Sequence, residues 1–267
     1  MATRKAGSAA KKTTRSKSQS TKTTVTTAKS VSAKVSKPKL DLRNNDIATS
    51  FIGEFIGVFV LVSVYLITKG EALWMGFTLI AVVLLVGTLS GSHLNPLVTI
   101  GAWVTRRMDH LRTVVYLVAQ FLGASAAFVL LSTYMNAIPP EGTGLVQPVR
   151  EVFKLVPLSE ANQWFIFGAE VLGATLFAFA FASVYKASVD RVTRALTIGF
   201  GWLAIVLVVG VLAGYVGGQV ALNPAAAFAA SAVDWTNINW SGVVVYLGAP
   251  LVGGVLGFAL RDLVEAK

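Results

Sequence analysis

The sequence predicts an all-α membrane protein with six transmembrane helices and two re-entrant half-helices, built as an inverted repeat. Three observations carry that expectation. Of the 267 residues, 54% are hydrophobic and only 13% charged, with a mean hydropathy of +0.66, whereas soluble domains carry about 25% charged residues. Six apolar stretches reach the roughly 20 residues needed to cross a hydrocarbon core of about 30 Å, and two more are about half that length. The same residue marks also occur twice, in the same order, along the chain.

The net charge of +10 belongs to one segment. Residues 1–43 hold 12 of the 23 Lys and Arg against a single acid, Asp41, which leaves the remainder nearly neutral. Residues 1–45 are Lys, Ser, Thr and Ala with almost no large apolar side chain, too little buried surface to offset chain entropy. They read as a disordered basic cytoplasmic tail resting near anionic lipid headgroups. An apolar stretch of the secretory type is missing, and a transit peptide fits less well because Lys outnumbers Arg. Nucleic-acid binding is the weaker reading, since no aromatic residue interrupts the charges to stack on bases.

Residues 46–267 form the membrane domain. The first repeat, about 48–134, contains spans at Ala48–Thr68, Ala72–Ser90 and Leu111–Tyr134. The second, about 163–263, contains spans at Gln163–Tyr185, Ala195–Tyr215 and Ser241–Leu263. The short stretches are Pro96–Val104 and Pro224–Val233, which as helices would be about 14–15 Å long, half a membrane each. Arg106, Arg107 and Arg112, then Lys186, Arg191 and Arg194, lie in connections on the side of the basic tail. The segment around Tyr215–Trp240 has no Lys or Arg. The positive-inside rule therefore places both termini in the cytoplasm. Trp74, Trp164, Trp235, Trp240 and Tyr215 near span ends read as interfacial anchors.

The repeat marks pair as follows. Glu54-x-x-Gly57 answers Glu170-x-x-Gly173, Leu94-Asn95-Pro96 answers Leu222-Asn223-Pro224, and Tyr116 with Gln120 and Gly123 answers Tyr246 with Pro250 and Gly253. Three spans per half is an odd number, so the second copy enters from the opposite face, and such architectures place their site where the halves meet near the midplane. Asn is a favoured N-cap and Pro fits the first helical position. Each Asn-Pro therefore starts its half-helix at membrane depth, with the positive dipole ends meeting at the centre. If each Asn carbonyl caps its own helix, the amide NH₂ is free to donate into a lumen. Gly53/Gly57, Gly87/Gly91, Gly210/Gly214, Gly214/Gly218 and Gly253/Gly257 have the spacing of close helix crossings.

At these residues the chain resembles the aquaporin, or major intrinsic protein, family. The stretch from Ser90 to Gly101, with Glu54, Gln120, Glu170 and Ala249-Pro250, carries the resemblance over about residues 48–263. It implies a passive channel domain for water or small neutral solutes, usually a homotetramer, in this case in the plasma membrane. The pore's Asn-Pro-Ala region would be Asn95, Pro96 and Leu97 with Asn223, Pro224 and Ala225. His93 would line the lumen, and Glu54 and Glu170 would support the irregular backbone. Proton exclusion would rest on the two Asn and the half-helix dipoles.

Departures from the family pattern bear on the solute. Leu97 stands where the first box usually ends in Ala, and Ala226 stands where the outer constriction usually has Arg. The other filter positions fall at Met75, Val220 and, on the fifth span, Val211, although the longer second half leaves anything from Val206 to Val211 open. All are apolar, which predicts a wide, weakly selective filter. Two further classes remain: a proton-coupled transporter using Glu54 or Glu170, both intramembrane acids, and a non-conducting structural membrane protein. With no Cys and two His (His93 and His110), a thiolate or His-built metal site is not expected. No nucleophile–base set or phosphate loop appears, so neither an enzyme nor a cofactor is expected.

Overall fold

The computed structural model describes residues 45–137, 151–185, 189–231, 233 and 238–266. The expected tail lies outside the described residues, as do Lys186 and Trp235. The chain is all-α over the described residues. Its helices are α1 (Asn45–Thr68), α2 (Ala72–Ser90), α3 (Pro96–Val104), α4 (His110–Asn136), α5 (Gln163–Tyr185), α6 (Arg191–Tyr215) and α7 (Pro224–Ala229). The last, α8, runs over Trp240–Glu265. Six of these are long and apolar enough to cross a membrane, and the protein is a multi-pass integral membrane protein.

The polar caps explain where helices begin. Asp109 accepts the N–H of Arg112 at 2.9 Å to start α4, and Asp190 accepts those of Val192 and Thr193 to start α6 at Arg191, four residues before the apolar run. The Thr193 hydroxyl and backbone N–H hold the exposed Asp190 carboxyl below its ordinary range. The second half-helix is shorter than expected, six residues instead of ten, because Ser231 turns left-handed (φ 55°) directly after the last turn. Within α8, Val243–Gly248 is π-helical and Ala249 N–H bonds five residues back to Val244 O. The reason lies one residue on: Pro250 offers no N–H and its ring crowds the carbonyl four residues earlier, so a widened turn absorbs the misfit.

Packing repeats the internal symmetry. Helix α1 lies on α4 as α5 lies on α8, α1 on α2 as α5 on α6, and each half-helix packs on the last span of the other half, α3 on α8 and α7 on α4. The halves join along α2 and α6. There Gly76 and Gly199 face each other so closely that a Cβ on Gly199 would stand 2.6 Å from the Gly76 carbonyl, and one on Gly76 would stand 3.1 Å from the Gly199 carbonyl. Small residues allow this approach in lipid, where no hydrophobic force drives helices together. Gly53, Gly57, Gly253 and Gly257 also sit at crossings, but Gly214, read from spacing as another, meets nothing within 4 Å. Large apolar side chains such as Ile52, Leu85, Leu176 and Leu256 face outward as the lipid surface, and exposed Trp74, Trp164, Trp240 and Tyr215 lie near span ends.

On the side of Arg107 the bundle is tied by charge. Arg107 pairs with Asp262 at 2.6 Å and lies 5.0 Å over the Phe258 ring, joining the end of α3 to α8. Arg112 pairs with Asp46 at 2.9 Å, joining α4 to α1. On the other side, the described part of the long connection folds inward: Leu155 N–H bonds Ala230 O at 3.0 Å and Phe153 packs edge-on against Tyr65.

Candidate functional site: the paired half-helix tips

Asn95 and Asn223 are both extended N-caps (φ −157° and −149°) followed by Pro. Asn95 Oδ1 accepts the Leu97 N–H at 3.0 Å. Asn223 Oδ1 accepts those of Ala225 at 3.0 Å and Ala226 at 3.4 Å. The amide nitrogens then cross between the halves: Asn95 Nδ2 donates to Leu222 O at 2.8 Å, and Asn223 Nδ2 donates to Leu94 O at 3.1 Å. The two tips are therefore locked reciprocally. An amide carries two hydrogens, so one on each Asn serves this tie and one remains, which narrows the expectation of a wholly free NH₂.

The carbonyls that receive these bonds belong to strained residues. Leu94 and Leu222 are left-handed (φ 55° and 50°), a conformation costing a side-chain-bearing residue about 1–2 kcal/mol. Two buried carboxylates hold it. Glu54 accepts the N–H groups of His93 at 2.9 Å and Leu94 at 2.7 Å; Glu170 accepts those of Ala221 at 2.5 Å and Leu222 at 3.0 Å. The turned leucines drop their side chains onto Gly57 and Gly173, where an added Cβ would collide with the Leu94 and Leu222 methyl carbons. The Glu-x-x-Gly mark thus has a physical reading: the acid holds the backbone and the glycine receives the leucine.

The halves differ in how the acid is held. Glu54 also accepts the Ser90 hydroxyl at 2.6 Å and Gln120 Nε2 at 2.7 Å, and Gln120 reaches on to Thr99 Oγ1 at 2.9 Å. In the second half the counterpart of Gln120 is Pro250, which offers no such donor. The Tyr116 hydroxyl donates to Ser90 O and that of Tyr246 to Gln219 O at 3.3 Å, so each half pins the connection leading to its half-helix. His93 is buried, its Nδ1 lies 3.2 Å from Thr99 Oγ1, and its ring is flanked by Tyr116, Phe181 and Tyr185 at 5.1–5.6 Å.

Two cavities share α6 as a wall. The outer one, about 340 Å³, is walled by Tyr65, Phe153, Leu155, Val206, Val211 and Val220 among others. The central one is about 10 Å³ and is lined by His93, Asn95 and Asn223 together with Leu61, Leu79, Phe177, Ile198 and Trp202. That is about the space one water needs. Among the residues expected to form a filter, Val220 and Val211 border the outer cavity, Val211 being 53% exposed. Met75 and Ala226, each 2% exposed, border neither cavity, and Leu97 and Ala225 are fully buried behind the Asn tips. On α6 the cavity-lining residues are Ile198, Trp202, Val206 and Gly210, one every fourth position, with Leu207 and Val211 joining them at the outer cavity.

Sequence reasoning missed Trp202 and Phe177. The Glu54–Glu170 offset in the sequence carries Leu61 to Phe177, but the offset that carries Leu79 to Trp202 is set only by the contact of Gly76 with Gly199 across the two halves. Two of the three leucines that line the central cavity from the first half, Leu61 and Leu79, thus have aromatic counterparts in the second, while Leu94 answers to Leu222.

Six spans, an inverted repeat and two half-helices meeting tip to tip at paired asparagines define an aquaporin-like fold. Comparison with known proteins agrees: the Major intrinsic protein family model matches residues 41–260, and the chain belongs to that family. It is 35% identical over 180 residues to "Probable aquaporin TIP3-2" of Oryza sativa subsp. japonica, covering 67% of this chain and 60% of that protein. To "Aquaporin AqpM" of Methanothermobacter marburgensis it is 31% identical over 190 residues, covering 68% and 70%. The chain spans about 60% of the length of the first of these relatives. The fold matches the X-ray structure of the aquaglyceroporin from Plasmodium falciparum with a TM-score of 0.58 at 19% identity, over 83% of this chain and 96% of that one.

Proposed function

We propose that the protein is a passive channel for water and small neutral solutes. The observation that carries this reading is the reciprocal tie of Asn95 to Leu222 and Asn223 to Leu94, which presents one spare amide hydrogen from each Asn to a single central space. A water there accepts from both, so its lone pairs are engaged and its own hydrogens point away along the file. A proton relay needs the central water to accept a third bond, and the two positive half-helix ends oppose a cation. Relatives whose names describe them as aquaporins support the same reading.

A proton-coupled carrier using Glu54 or Glu170 is the weaker alternative, since each carboxylate is engaged in holding backbone N–H groups. Both termini on the cytoplasmic side follow from the positive-inside rule. Assembly as a homotetramer in the plasma membrane, with the basic tail on anionic lipid, belongs to the same proposal.

Stopped-flow light scattering on proteoliposomes tests it: osmotic shrinkage well above that of protein-free vesicles is expected, and shrinkage at the lipid rate refutes the channel. A second expectation concerns the outer cavity, where Val206, Val211 and Val220 share the wall with Lys69, Glu71 and Gln219. Ala226, the position of the family's filter arginine, is buried off this space, so the informative site is Val220. Val220→Arg places a long guanidinium side chain in the mouth, narrowing it, and is expected to lower osmotic water flux several-fold. An unchanged water flux argues that the conduit does not pass through this mouth.

A further inference from the structure

Trp202 is 5% exposed and lines the central cavity with both asparagines, yet its buried indole N–H has no hydrogen-bond partner among the described residues. Its ring is fixed edge-on against Phe177, centroids 4.8 Å apart at 88°, and Phe177 borders the same space. The cavity there is about 10 Å³, against about 340 Å³ in the outer space. The space is therefore wide at its mouth and small where Phe177 and Trp202 share the lining with the two asparagines. A buried donor left unpaired is costly, and the one acceptor that regularly reaches this spot in a conducting channel is the lone pair of the passing solute.

We propose that Trp202 is the size-determining residue of the conduit, restricting passage at the midplane to lone-pair-bearing solutes of water or ammonia size and excluding glycerol and urea. This rests on the channel reading above. The selectivity of the pathway then resides at the asparagine level and not in the wider mouth, and it arises because the second half carries a tryptophan where the first carries Leu79.

The test compares the wild type with Trp202→Leu, which copies the residue of the other half, and Trp202→Phe, which keeps a ring against Phe177 while removing the N–H and part of the width. Water, urea and glycerol fluxes are measured in vesicles of the same preparation. The wild type is expected to conduct water with glycerol at the lipid background. Trp202→Leu is expected to raise glycerol and urea flux about tenfold, with Trp202→Phe between the two. If the leucine variant fails to assemble, the phenylalanine variant decides, by a rise in urea flux over the wild type. Rapid glycerol flux through the wild type, or an unchanged glycerol-to-water ratio in the assembled variants, overturns the assignment while leaving the channel standing. Absence of water flux in the wild type overturns both.

Discussion

Replacing Glu54 by leucine is expected to destabilise the protein more than replacing Glu170, and both changes should be among the most damaging single substitutions in the chain. The reasoning is a count of stranded donors. Without Glu170 the N–H groups of Ala221 and Leu222 lose their acceptor; without Glu54 those of His93 and Leu94 do, and Gln120 Nε2 with them. A buried unsatisfied donor costs about 1–3 kcal/mol, and at membrane depth no bulk water replaces the lost partner. The expected losses are thus about 2–6 kcal/mol for Glu170→Leu and about 3–9 kcal/mol for Glu54→Leu. The Ser90 hydroxyl can rotate and adds less. The strained Leu94 and Leu222 turns would relax as well, so water flux should fall with stability. Glutamine at either position keeps one acceptor oxygen and should fall between. Denaturant unfolding in detergent micelles checks the order; equal losses at the two sites, or losses near zero, contradict the roles given to these acids.

Gly199→Leu is expected to disrupt the joint between the two halves. A Cβ there would stand 2.6 Å from the Gly76 carbonyl and closer still to Ile80. These are atoms of a facing helix and its backbone, so relief requires α2 and α6 to separate. Overpacking commonly costs about 1–3 kcal/mol and more where backbone must move, so the loss should reach at least about 3 kcal/mol. The control is Gly214→Leu on the same helix, where nothing lies within 4 Å; a change within about 0.5 kcal/mol is expected, as for ordinary surface substitutions. Thermal midpoints and the monodisperse fraction after detergent extraction provide the comparison. Similar behaviour of the two variants would show that the α2–α6 seam is not the constraint described.

What was legible in the sequence has a common cause. Bilayer thickness sets span length, so α2 and α5 fall where their apolar stretches do, and an Asn-Pro opening a nine-residue apolar helix has few alternative explanations. Glu54, Glu170 and the two Asn stand out because polar residues at membrane depth are rare. The lumen-facing apolar residues were hidden for the opposite reason. In a span whose outer face meets lipid and whose inner face meets the conduit, Val208 and Val206 look alike, and periodicity gives no contrast. Trp202 is simply an apolar residue of an apolar helix until the Gly76–Gly199 contact fixes the register between the halves. The extra residues of the second half obscured that register and left the fifth-span position open between Val206 and Val211. The length of α7 was also hidden, because an alanine run continues past the point where Ser231 turns left-handed.

The central claim is that one conduit passes the asparagine tips along the α6 face bearing Trp202 and Val206. Because the chain contains no cysteine, a single introduced thiol reports that path directly. Val206→Cys lies on the outer cavity wall, while Val208→Cys lies on the outward face of the same helix, 57% exposed. A small mercurial should block osmotic water flux in the Val206→Cys protein and leave the Val208→Cys and wild-type proteins unaffected. Quantitative labelling of Val206→Cys without loss of flux, or equal block through Val208→Cys, would contradict the account.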